Sequence, residues 1–226
     1  MTTRERNLLK ISIPKYTFKQ ELFNSVSHFL GVPLGISTIV ISFILYFVNN
    51  IQLGYFIGLL VFGFSIVALY LMSGLYHVES PNNVIKKKTK RVLDHCTIYF
   101  LIAGTYTPIC IYIASTNVIG IVVLIIEWFL AVVGILINAI DFTNKVVKGV
   151  SMFLYLALGW LILFSGAFIY LPFNAFLFIL IGGILYTIGS VLYGIGHKNL
   201  SFHSIFHVFV LLGTVFQSVG VFLLLI

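Results

Sequence analysis

The sequence predicts an all-α integral membrane protein, a bundle of seven transmembrane helices with its N-terminus cytoplasmic and its C-terminus outside. Three observations carry that expectation. The 226-residue chain is 60% hydrophobic and 8% charged, with a mean hydropathy of +1.12, more apolar surface than any soluble core needs. Runs of about 20 apolar residues recur along it, the length at which a helix crosses a bilayer. All 13 lysines and arginines fall on one side of a seven-span arrangement. The alternating strands of a membrane barrel are absent. No polar stretch is longer than the first 27 residues, which excludes a soluble domain.

The spans, with soft ends, are 28–48, 53–77, 93–114, 118–140, 148–170, 173–195 and 202–224. They divide the chain into a basic cytoplasmic segment, 1–27, and a seven-span domain, 28–226. The breaks are "VNNIQ", "ESPNNVIKKKTKR", "ASTN", "DFTNK", "YLPFN" and "GHKN"; only Pro172 and Asn174 part the fifth span from the sixth. The first apolar run follows a basic tail with no small-residue cleavage site after it, so it reads as a retained span. Arg4, Arg6, Lys10, Lys15 and Lys19 precede the first span. Lys86, Lys87, Lys88, Lys90 and Arg91 separate the second and third, Lys145 and Lys148 the fourth and fifth, and Lys198 the sixth and seventh. The positive-inside rule makes that side cytoplasmic. The opposite connectors hold no charge of either sign. This sorting accounts for the net charge of +7 with no nucleic-acid partner, and it places the protein in the cell membrane as a multi-pass chain. Cys96 and Cys110, the two cysteines, lie about 21 Å apart along one expected helix and cannot pair.

Topology gives each polar residue a depth. In "SGLYHVES", His77 ends the second span and Ser73 lies one turn deeper on the same face. Asp94 opens the third span. "SFHSIFHVFVLLG" opens the seventh with His203 and His207 at i, i+4. Three distant segments thus bring five polar side chains within about two turns of the cytoplasmic face. Ionisable groups in a span are costly and face the bundle interior or a wet cavity. Three imidazoles beside a carboxylate suit zinc, which takes nitrogen ligands in a tetrahedron and keeps one position for water in catalytic sites. His77, His203 and His207 are therefore the expected metal ligands, with Asp94 and Ser73 acting on a water there or as an outer shell. His95 points about 100° away from Asp94 and is expected to face a neighbouring helix or the headgroups. His197 is expected in a solvated loop.

At these residues the chain resembles the haemolysin III-like proteins and the wider progestin and adipoQ receptor family. "SGLYH" is similar to their S-x-x-x-H, and "LDHCTIYFLIAGTYTP" to their third-span block. "ILYTIGSVLYGIG" followed by "FHSIFHVFVLLG" resembles their sixth and seventh spans. Glu21 to His28 resembles the E-x-x-N-x-x-x-H that opens their first. The resemblance covers nearly the whole chain. It implies seven helices with the N-terminus inside and zinc held by the counterparts of His77, His203 and His207, with Asp94 and Ser73 at the family's aspartate and serine. Members include hormone receptors with ceramide-hydrolysing activity. The long N-terminal extension of those receptors is missing here, so hormone binding is not expected, and the short loops fit a bacterial member.

Such a site suits hydrolysis of a lipid amide or ester. Asp94 would take a proton from water and pass it to the leaving group, and Ser73 would orient the water or donate to a developing oxyanion. A membrane lipid, as substrate or bound ligand, is the expected partner. Two other readings stay open: a signalling protein with a structural zinc, and the pore that the haemolysin name implies. Glu21, Asn24 and His28 share a helical face and suit a second shell or a gate. Glu127 lies near the midplane of the fourth span with no basic residue at its depth, the feature that favours a pore. Pro108 frees a carbonyl near Gly104, with Thr105 and Thr107 at hand. Gly182 and Gly183 suggest close helix contact.

Overall fold

The computed structural model describes residues 3–196 and 199–225. His197 and Lys198, expected in the last connector, lie outside the described residues. So do the side chains of Arg4 and Lys145. The helices are α1 (Thr3–Leu9), α2 (Phe18–Phe29), α3 (Gly31–Phe47), α4 (Leu53–Val78), α5 (Val84–Ala114), α6 (Ile119–Ile140), α7 (Lys145–Gly159), α8 (Leu161–Phe164), α9 (Phe173–Ile195) and α10 (Ser201–Phe222), with a 3₁₀ turn at Ala167–Tyr170. Among the described residues, six helical stretches are long and apolar enough to cross a membrane, α2 and α3 together forming the first, Phe18–Phe47.

Two elements begin earlier than their apolar runs. The first helical stretch starts at Phe18, ten residues before the expected span. Thr17 starts it with a capping box: its hydroxyl accepts from the Gln20 amide at 3.3 Å, and Gln20 Oε1 accepts from the Thr17 amide at 2.9 Å. The polar face of α2 is thereby carried into the bundle rather than left in a tail. The third expected span starts at Val84 because Lys and Arg are good helix formers and continue α5 through the basic run. The connector shrinks to 79–83, where Glu79 accepts from Lys90 at 2.5 Å and from Asn83 at 2.8 Å. The Lys90 ammonium holds the Glu79 carboxyl down to about 2.

The expected fifth span, 148–170, is not one helix. α7 stops at Gly159, α8 lasts four residues, and Gly166 turns left-handed at φ +71° before the 3₁₀ turn. Fifteen residues at about 1.5 Å each give α7 about 22 Å, short of the ~30 Å hydrocarbon core. The expected sixth span matches α9, which begins directly after Pro172.

α4 and α5 form the centre, burying Leu59, Phe62, Ile66 and Tyr70 against Leu101, Ile109 and Ile113. Around them α3 packs on α4, α6 on α5, and α10 on both α9 and α2. Outward faces stay apolar, as at Phe47, Ile125, Phe129 and Phe153, which suits contact with lipid tails. The expected tightness at Gly182 has a cause: a Cβ there would meet Gln217 Cγ at 2.8 Å and the Gly213 carbonyl at 3.0 Å, so α9 and α10 touch through backbone. Gly183 instead faces the Trp160 ring at ordinary distance. Thr105 and Thr107 donate to the Leu101 and Ala103 carbonyls, each four residues back, beside Pro108. The Tyr70 hydroxyl donates to the Val210 carbonyl at 3.1 Å and lies 2.6 Å from Thr214 Oγ1, tying α4 to α10 just below the histidines. Cys96 and Cys110 are both free and buried.

Candidate metal centre

His77 sits in the last turn of α4, and His203 and His207 in the first two turns of α10. All three are buried, and one ring nitrogen from each lies within 4.8 Å of the others. Hydrogen bonding at the far side of two rings dictates what the near side presents. His77 Nδ1 is 2.6 Å from Glu21 Oε2, and His207 Nδ1 is 3.2 Å from the Asn24 carbonyl oxygen. A carbonyl can only accept, and so can an ionised carboxylate, so each Nδ1 carries a proton, which in a neutral ring leaves the Nε2 lone pair facing inward. His77 Nε2 is buried with no hydrogen-bond partner. His207 Nε2 faces His203 Nε2 at 3.0 Å, a contact that needs either a proton on His203 or a cation between them. Two nitrogens of a tetrahedral zinc lie about 3.3 Å apart, given Zn–N near 2.0–2.1 Å. The donor set fits the ion the sequence called for: three imidazoles, two of them with acceptors behind the rings that hold a proton on Nδ1 and leave Nε2 to face a metal.

Glu21 does more than orient His77. Its second oxygen accepts from Lys87 Nζ at 2.7 Å, and Lys87, 1% exposed, also donates to the Glu79 carbonyl at 2.9 Å. One carboxylate therefore bridges a candidate ligand and a buried ammonium. Asn24 acts through its backbone, while both polar atoms of its side chain are buried without a partner. The His28 ring packs 3.8 Å from that of His207, centroid to centroid, and both its nitrogens are likewise unpartnered. The expected grouping of Glu21, Asn24 and His28 thus lies against the cluster.

Ser73 and Asp94 line the same cavity as His203 and His207, with the Asp94 carboxylate within side-chain reach of the Ser73 hydroxyl. All five residues named from the sequence are therefore gathered at one end of the bundle. His95 lines this cavity too, but its ring lies 4.7 Å from that of Phe142 and its Nε2 is 3.5 Å from the Tyr193 hydroxyl. The three-residue cluster does not include it.

Comparison with known proteins bears on the whole arrangement. The family model described as "Haemolysin-III related" matches residues 16–218. The chain belongs to the haemolysin-III related family. Two curated relatives agree. It is 36% identical over 205 residues to "Hemolysin-3 homolog" of Bacillus subtilis (strain 168), covering 88% of this chain and 91% of that one. It is 35% identical over 198 residues to "Hemolysin-3" of Bacillus cereus, covering 87% of each. With that family comes membership of the wider progestin and adipoQ receptor family and the status of a multi-pass membrane protein.

In this haemolysin-III related chain the cavity, of about 140 Å³, leads away from the histidines between α5, α7, α9 and α10. Apolar groups such as Leu69, Ile98, Ile102, Leu156, Phe206 and Val210 line it, and it reaches Gln217. From His203 to Gln217 is about 21 Å along α10. Glu127 does not line this cavity. It is fully buried on α6, and neither carboxyl oxygen has a hydrogen-bond partner. The sequence reading missed Lys87 as part of the site. The signal was present, since Lys87, Arg91 and Asp94 fall at i, i+4, i+7 on one face of α5.

Proposed function

We propose that the protein is a zinc-dependent hydrolase of a lipid amide or ester bond, ceramidase-like in reaction type, with its site near the cytoplasmic face of the cell membrane. The observation that carries the reading is the convergence of the unpartnered, buried His77 Nε2 with the facing Nε2 atoms of His203 and His207, the latter two lining one cavity with the Asp94 carboxylate. His77, His203 and His207 would hold the ion. Bound zinc would supply a Lewis acid and bring the pKa of water near 7. Asp94 takes a proton from water as the new C–O bond forms and returns it to the leaving amine or alkoxide as the old bond breaks. Ser73 holds the Asp94 carboxylate in place. The apolar cavity suits the chain of a membrane lipid whose amide or ester lies at headgroup depth.

Asp94→Asn keeps shape and hydrogen bonding but removes basicity. It is expected to leave zinc bound and the fold intact while lowering turnover by about 10²-fold or more, the scale of a lost general base. The measurement is zinc-dependent hydrolysis of ceramides and glycerolipids by purified protein, beside zinc content. Fully metallated wild type that cleaves none of them would overturn the hydrolase reading and leave the zinc as a clamp of α4 and α10.

The same proposal includes seven crossings with the N-terminus inside, α7 and the short turns after it making the fifth. Its support is the gathering of charge at the histidine end: Arg91 and Lys148 both lie over the Phe142 ring, at 5.7 and 5.5 Å. A cysteine replacing exposed Lys86 should be labelled from the cytoplasm and one replacing Asn49 only from outside; the reverse pattern would refute the orientation.

One observation favours a second reading. Glu127, buried without a partner, suits a proton- or ion-conducting path, and both curated relatives are named as hemolysins. A pore would conduct in proteoliposomes, respond to Glu127→Gln and ignore chelators.

A further inference from the structure

Residues 10–17 form no regular element, yet they are fixed at both ends. Ile11 is 4% exposed, Lys88 Nζ donates to the Leu9 carbonyl at 2.6 Å, and the Arg91 guanidinium donates to the Ser12 carbonyl. At the other end Thr17 is locked into the capping box of α2. Between these anchors the Tyr16 ring stacks on His203, with centroids 5.2 Å apart and planes at 30°, and meets His77 edge-on at 5.6 Å. The segment therefore crosses the mouth formed by the end of α4 and the start of α10. None of residues 10–17 lines the cavity, which runs on among the apolar residues of α5, α7, α9 and α10.

We propose that residues 10–17 are a strap that stoppers the polar mouth of the histidine site, with the Tyr16 ring as the plug, so that the site is reached from the membrane side. The inference rests on the metal reading of the three histidines. Tyr16 supplies no ligand in that reading. It covers two ligand rings and keeps water-borne solutes off them. Lys88 and Arg91, drawn from the basic run of α5, act as the buckles by capturing backbone carbonyls that no helix or sheet uses.

The test uses full-length protein in lipid nanodiscs, loaded with zinc, and reads the rate at which EDTA strips the metal. Tyr16→Ala should raise that rate by about three- to tenfold, the range of one aromatic contact, while Tyr16→Phe should strip at the wild-type rate. Equilibrium zinc affinity should change less than the rate. Lys88→Ala leaves every ring in place and should also speed stripping, which covers the case in which Tyr16→Ala does not fold. A second readout needs no metal: trypsin should cut after the exposed Lys15 faster in Arg91→Ala than in wild type. Wild-type stripping in both Tyr16→Ala and Lys88→Ala, or unchanged cleavage in Arg91→Ala, would overturn the strap. Failure of wild type to take up zinc would instead remove the metal reading, and the proteolysis result would still report whether the strap is docked.

Discussion

Replacing His207 with alanine, alone or with His203, is expected to remove the bound metal and to lower thermal stability. The ring is 1% exposed and sits at the centre of the polar end, against His28 and below the Asn24 carbonyl. Losing a buried ring of this size costs about 2–5 kcal/mol through the cavity it leaves. The Asn24 carbonyl loses one donor but keeps the Ser27 hydroxyl at 3.0 Å, so this loss adds little. Metal binding adds to folding free energy, so on the proposed zinc reading wild type would carry a stabilisation that the variant cannot recover. Thermal unfolding with and without EDTA separates the parts. EDTA should lower the wild-type midpoint and leave that of the variant unchanged. Equal sensitivity of the two proteins to EDTA, with equal zinc content, would show that His207 is not a ligand.

Glu21→Ala should be the most damaging change outside the ligand set. It strips the acceptor from His77 Nδ1 and leaves the Lys87 ammonium buried without its carboxylate. Breaking a buried ion pair from one side typically costs about 3–5 kcal/mol, far more than the pair contributes when intact. Loss of an outer partner of a metal-binding histidine typically weakens metal affinity about 10–100-fold. The pair of effects can be told apart. Adding Lys87→Met to Glu21→Ala removes the stranded charge and should restore much of the stability, but His77 still lacks its acceptor, so zinc affinity should stay low. Chemical unfolding and zinc titration of the single and double variants provide the check. A double variant no more stable than Glu21→Ala would mean that the cost lies elsewhere than in Lys87.

The sequence made the grouping of the candidate ligands legible because helical spacing is rigid. His203 and His207 at i, i+4 share a face in any helix, and Ser73 and His77 do so for the same reason. Asp94 joined them through span counting, which needed only the apolar runs. Hydropathy could not show where polar helix begins: the shared face of Glu21, Asn24 and His28 points to helix there, but the start of α2 is marked only by the Thr17–Gln20 capping signal. It also could not show that the run after Lys145 would break at Gly159 and Gly166, because a kinked apolar stretch and a straight one have the same composition. Which lysine of the basic run turns inward depends on tertiary contact with Glu21. Tyr16 was invisible for a similar reason: nothing in its own neighbourhood points to His203, and only the path of the strap brings the two rings together.

Zinc-edge X-ray absorption of the purified, membrane-extracted protein bears on the histidine centre with no assay in between. One zinc per chain, bound by three nitrogen donors at about 2.0–2.1 Å with an oxygen completing the tetrahedron, is the expected result. Folded protein that takes up no zinc on reconstitution, or that binds it through sulfur, would overturn the assignment of His77, His203 and His207.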